Sequence, residues 1–149
     1  MGGEEVTSME MMKKPRSGFS SQIEITDAMV TEIVEFGGYP HPLFQSGWKE
    51  LGMRNRPMPG QGVMALMAGA LERSGEWDHA VALIGYENVR FKAPVVVGDA
   101  VRLEWKEVGQ QPWKNPERML IKCEWNLRNQ LDEVCVESIA LMLVRSIAI

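Results

Sequence analysis

Gly60-Gln61-Gly62-Val63-Met64-Ala65-Leu66-Met67-Ala68-Gly69-Ala70-Leu71-Glu72-Arg73, closed by Ser74-Gly75, is the stretch that decides how this chain folds. From Val63 to Leu71 no position carries a charge on any face. A helix that is apolar all round is normally buried all round. At the helical rise Gly60 to Arg73 is about 21 Å long, short of the roughly 30 Å of a bilayer span. The rest of the chain is therefore expected to wrap around it.

The residues downstream supply the wrapper. Val89 and Phe91 alternate with Asn88, Arg90 and Lys92. Val101, Leu103 and Trp105 alternate with Arg102, Glu104 and Lys106, and a longer run from Arg118 to Arg128 does the same. Period two with one apolar face predicts half-buried antiparallel strands. The run Val134 to Val144 is apolar on both faces except at Glu137 and Ser138, which predicts a central strand. Val97-Gly98-Asp99, the stretch Gly109 to Pro116, and Asn129 to Asp132 carry turn chemistry between the runs.

Upstream, Gln22 to Thr26 alternates as a short strand would, and Thr26 is placed to cap a helix with apolar positions Met29, Ile33 and Phe36. Gly37-Gly38 ends that helix. Tyr39 to Pro59 is loop-like, with Pro40, Pro42, Pro57 and Pro59, and a short helical turn is expected around Trp48 to Met53. The sum is an α+β domain, an antiparallel sheet of about five strands curled around one central apolar helix. That is the hot-dog architecture. A mobile tail over residues 1–21 and a single domain over 22–149 are expected.

Composition narrows the functions. A net charge of −4 and a pI near 5.3 argue against nucleic acid as the main ligand, because phosphate neutralisation needs a basic face. No run reaches the roughly 18 apolar residues of a membrane span, and residues 1–21 lack the apolar core of a signal peptide. Cys123 and Cys135 form neither a disulfide framework nor a zinc motif, so a reduced, cytoplasmic setting is expected. On strands they read as small buried hydrophobes.

Three segments carry a family likeness. Phe36 to Phe44 resembles the G-D-x-N-P-x-H loop of the MaoC-like hydratases, which include the (R)-specific enoyl-CoA hydratases. Arg56 to Met64 resembles that family's entry to its central helix. Asn88 to Asp99, reading Asn-Val-Arg-Phe-Lys-Ala-Pro-Val-Val-Val-Gly-Asp, resembles its recurring R-F-x-x-P-V-x-x-G-D segment. The resemblance implies a hot-dog fold acting on acyl thioesters of CoA or acyl carrier protein, as a homodimer or higher homo-oligomer, with no metal or other cofactor and no nucleic-acid or membrane partner.

The resemblance breaks at the chemistry. Anchored on Pro42-Leu43, the family's catalytic Asp falls on Tyr39, its Asn on His41 and its catalytic His on Phe44. Phenylalanine moves no proton, and a tyrosine with an ordinary pKa near 10 is a poor base at neutral pH. Tyr39 and His41 are the candidate polar pair that remains. The resemblance further implies an oxyanion site at the start of the central helix, at Gly62 and Val63, with Gln61 beside them and Phe44 on the pocket wall. Three readings follow: a hydratase or dehydratase with an altered acid/base set, a non-catalytic acyl-thioester-binding protein or inactive subunit, and a thioesterase or other lyase on the same fold.

Overall fold

In a computed structural model that describes residues 6–7 and 14–146, the chain builds four long antiparallel strands, three short ones and two α-helices. The long strands are β4 (Ala80–Phe91), β5 (Ala100–Pro112), β6 (Arg118–Arg128) and β7 (Val134–Arg145). They lie in the order β5-β6-β7-β4, so β7 is internal, as its two apolar faces require. Three short segments, β1 (Val6–Thr7), β2 (Ser17–Phe19) and β3 (Ile23–Glu24), lie end to end along the outer edge of β5. That edge is covered, and β4 is left as the open one.

Two of the three short segments fall inside residues 1–21, where a mobile tail was expected. Ser17–Phe19 pair with β5, and the Arg16 guanidinium lies 4.7 Å from the Trp77 ring centroid with its Nε 2.9 Å from Glu107 Oε2. A cation over an aromatic face, backed by a half-buried ion pair, anchors the segment. Residues 1–5 and 8–13 lie outside the described residues.

Helix α1 (Asp27–Gly37) begins as expected, with Thr26 Oγ1 accepting from the Met29 amide, and ends on Gly38 at φ +69°. Its buried face differs from the expectation. Val30 and Val34 are buried, whereas Phe36 is 94% exposed, because two residues beyond Val34 a helix has turned to its opposite side. The central helix α2 (Gly60–Arg73) buries Val63, Met64, Met67 and Leu71, worth about 1.5–3 kcal/mol each. It is not buried all round. Gln61, Ala65 and Glu72 are exposed and Ala68 half-buried, a stripe at helical spacing that this chain leaves uncovered.

The strands keep their alternation in β5 and β6 but not in β4. Strand β5 runs on to Pro112 through an irregularity at Glu107/Gly109, replacing much of the expected loop. Strand β4 starts at Ala80 and has three register shifts, the last between Glu87 and Arg90, where Asn88 takes φ +54°. The sheet face turned from α2 is polar, with Lys122 paired to Glu87, Lys106 to Glu124 and Arg128 to Glu104.

Candidate functional site

At the N-terminus of α2 an apolar pocket of about 360 Å³ opens between the proline-rich loop and the end of β4. Its walls come from four places: Leu43 and Phe44, Met53 with Pro57 and Met58, Gly60 and Val63, and Phe91 to Val95 with Val136 behind. Lys92 is the one ionisable side chain among the lining residues, and its Nζ lies 3.5 Å from Glu137 Oε1. The volume and the apolar lining are those of a small-molecule site.

The loop is held by residues distant in sequence. Arg56, with its side chain 12% exposed, donates from Nε to the Phe44 carbonyl at 2.9 Å and from Nη1 to Thr31 Oγ1 and Asp27 Oδ1 at 2.7 and 3.1 Å. It ties the Phe44 wall to α1. Arg54 forms a two-pronged pair with Asp99 at 3.0 and 3.1 Å. Asp99 is fully buried and also accepts from the Val96 amide and Gln130 Nε2. Burial alone would raise its pKa, but Arg54, the Val96 amide and Gln130 together hold it below the ordinary carboxylate value. The Met58 amide donates to the Val95 carbonyl and the Val97 amide to the Arg56 carbonyl, which seats the residues before α2 on the Asp99 turn.

Helix α2 starts on Pro59, which offers no side-chain cap. The amides of Gly62 and Val63 both donate to the Pro59 carbonyl, at 2.9 and 3.1 Å. Those of Gly60 and Gln61 have no acceptor among the described residues, so the unfilled donors of the first turn lie two residues before the expected pair. Gly62 faces away from the pocket: a Cβ there would meet Ile33 Cγ2 at 2.7 Å. Its role is the close approach of α1 and α2, not that of a ligand. Val63 lines the pocket, and Gln61 is exposed beside it.

The candidate acid/base residues fall in one loop but not in the pocket lining. His41 is exposed, and its Nδ1 accepts from the Leu43 amide at 3.0 Å, capping the short 3-10 turn Pro42–Phe44. With Nδ1 as acceptor, the neutral ring carries its proton on Nε2. Tyr39 packs edge-on against Phe44 with centroids 5.4 Å apart, folded over Gly37 behind the wall. Phe44 itself faces the pocket. The thiols stay out of the chemistry, because burial pushes Cys123 up to about 12 and Cys135 up to about 11.

The sequence reading missed Gly60, Phe91 and the Arg56 and Asp99 anchors. Alternation put Phe91 on the apolar face of its strand, but nothing local to it tells that the ring stands against Gly60. Among the described residues there is no cluster of three or more His, Cys, Asp or Glu placed to hold a metal, and no helix is long and apolar enough to cross a membrane.

No protein-family model matches the chain, and no curated protein matches it by sequence. Solved structures do match. A monoamine oxidase regulatory protein from Archaeoglobus fulgius superposes with a TM-score of 0.80 at 16% identity, covering 90% of this chain and 91% of its own. A MaoC-like dehydratase from Rhodospirillum rubrum gives 0.76 at 20% identity, with 91% and 94% covered. An (R)-hydratase from A. caviae involved in PHA biosynthesis gives 0.69 at 14% identity, with 91% and 98% covered. The chain has the hot-dog fold these proteins share, and its structural neighbours include hydratases and dehydratases.

Proposed function

We propose that this protein binds the acyl group of a CoA or carrier-protein thioester in the α2 pocket and holds its carbonyl at the helix N-terminus without hydrating it. The pocket that carries this reading is apolar along its length and has Lys92 as its one ionisable lining residue. The free amides of Gly60 and Gln61, at the positive end of the α2 dipole, are the donors for a thioester carbonyl. Hydration of an enoyl thioester needs a general base and acid within hydrogen-bond reach of one water. Here Nδ1 of His41 is committed to a backbone amide and Tyr39 stands behind Phe44.

A second reading, hydratase or dehydratase activity through Tyr39 and His41, rests on one observation. Holding His41 Nδ1 leaves its Nε2 oriented and free, in the loop that carries Phe44. Incubating the protein with crotonyl-CoA and 3-hydroxybutyryl-CoA, and following enoyl absorbance and free thiol together, separates the readings. The binding reading predicts thermal stabilisation with both signals flat. Enoyl turnover abolished by His41→Ala establishes the second reading, and thiol release establishes a thioesterase.

The working unit we propose is a homodimer. Val81, Leu83 and Ile84 on the open β4 edge are exposed large hydrophobics, and the uncovered stripe of α2 around Ala65 and Ala68 is a second face to cover. The free, buried thiols of Cys123 and Cys135 fit a reduced, cytoplasmic setting.

A further inference from the structure

We infer that Phe91 is the specificity-determining wall of this pocket: it admits acyl groups that are unbranched beside the thioester carbonyl and turns away branched ones. The inference rests on the acyl-thioester reading above and deepens it. A Cβ added at Gly60 would stand 2.9 Å from Phe91 Cε1 and 3.1 Å from Cζ, so the far end of the ring lies against the first residue of α2. That residue carries one of the two unfilled amides. A carbonyl hydrogen-bonded there puts its neighbouring carbon beside the ring, where an unbranched CH₂ passes and an added methyl collides.

The ring reaches this place through an irregularity in the strand. Tyr86 pairs with Ala140 and packs on Trp125, on the core side of β4. Strict alternation from Tyr86 would send Arg90 inward and Phe91 outward. Between Glu87 and Arg90, however, β4 advances three residues while β7 moves two, from Ile139 to Glu137. This is a β-bulge, with Asn88 at φ +54° supplying the left-handed residue. The extra residue swaps the faces, so Phe91 pairs with Val136 and turns into the pocket that Val136 also lines. Phe91 stays 52% exposed in spite of facing inward, so it stands at the pocket's edge and is not part of the sealed core.

The test is calorimetric binding of butanoyl-CoA and 2-methylpropanoyl-CoA to the full chain and to Phe91→Ala and Phe91→Leu, with thermal unfolding of each as the check on folding. One methyl group against a fitted apolar wall changes affinity by about tenfold or more. The wild type is therefore expected to favour butanoyl-CoA by about tenfold or more. Phe91→Ala should bring the ratio within about threefold by gaining the branched ligand, and Phe91→Leu should fall between. If Phe91→Ala binds acyl-CoA but keeps the wild-type ratio, or if the wild type does not discriminate, the inference about Phe91 is overturned and the binding reading stands. If the wild type binds neither thioester, the binding reading falls and takes this inference with it.

Discussion

Replacing Asp99 by alanine tests whether the buried carboxylate is what holds the entry to α2 in place. Its side chain is completely buried and satisfies the Val96 amide at 2.9 Å, Gln130 Nε2 at 3.0 Å and the two Arg54 prongs. Val96 is itself fully buried, so its amide loses its partner, at about 1–3 kcal/mol. The Arg54 side chain is 55% exposed and rehydrates when freed, so that pair adds at most about 1 kcal/mol. The sum is about 1–4 kcal/mol. For a chain of this length that lowers the melting temperature by about 2–16 °C. The pH dependence carries a sign. The folded carboxyl titrates below its unfolded value, so its stabilisation is complete above about pH 4 and is lost as pH falls through the depressed folded pKa. Calorimetric or circular-dichroism melts of wild type and Asp99→Ala across pH 2–7 (about the range over which carboxylates titrate) should show a gap that is constant at the neutral end and narrows in acid. A loss below about 1 kcal/mol at neutral pH, or a gap that does not narrow in acid, would mean that the Asp99 carboxylate does not hold the entry to α2.

Four further outcomes follow from the same geometry. Gly62→Ala forces a Cβ to 2.7 Å from Ile33 and 3.1 Å from Met58, and should lower stability by about 1–3 kcal/mol in denaturant titration. Phe44→Ala removes a wall of the pocket and should weaken acyl-CoA binding by about tenfold or more, measured by calorimetry, with melting little changed because the ring is only half-buried. Ile84→Lys places a charge on the open β4 edge and should turn a dimer into a monomer in sedimentation velocity. Cys123 and Cys135, with pKa values pushed up to about 12 and about 11, should resist a thiol reagent at pH 8 (about the ordinary thiol pKa) in the folded protein and react on unfolding.

Features set by near neighbours were legible in the sequence. Thr26 caps α1 and Gly38 ends it because both acts involve residues within four positions. The uncharged run from Val63 marks α2, and the alternation in β5 and β6 marks their buried faces. The first half of β4 was hidden because its register shifts at Ala80/Ala82 and Leu83/Gly85 erase the two-residue period on which strand reading depends. Alternation did place Phe91 on an apolar face, but the bulge between Glu87 and Arg90 that turns it to the pocket was not legible. Gly62 looked like a ligand contact because a glycine at a helix start serves either a ligand or a crossing helix, and the choice lies with Ile33, 29 positions away. His41 was expected in the chemistry. Its ring also caps the turn two residues on, a short-range option open to any side-chain acceptor before Pro-x-x.

In the binding reading a thioester carbonyl sits at the free amides of Gly60 and Gln61. The most direct test is the infrared stretch of a ¹³C-carbonyl-labelled butanoyl-CoA, free and bound to the wild-type protein. Hydrogen bonds from two backbone amides at a helix N-terminus weaken the C=O bond, so saturable binding is expected with the labelled band moved to lower frequency. Binding with the band left at its free position would contradict it.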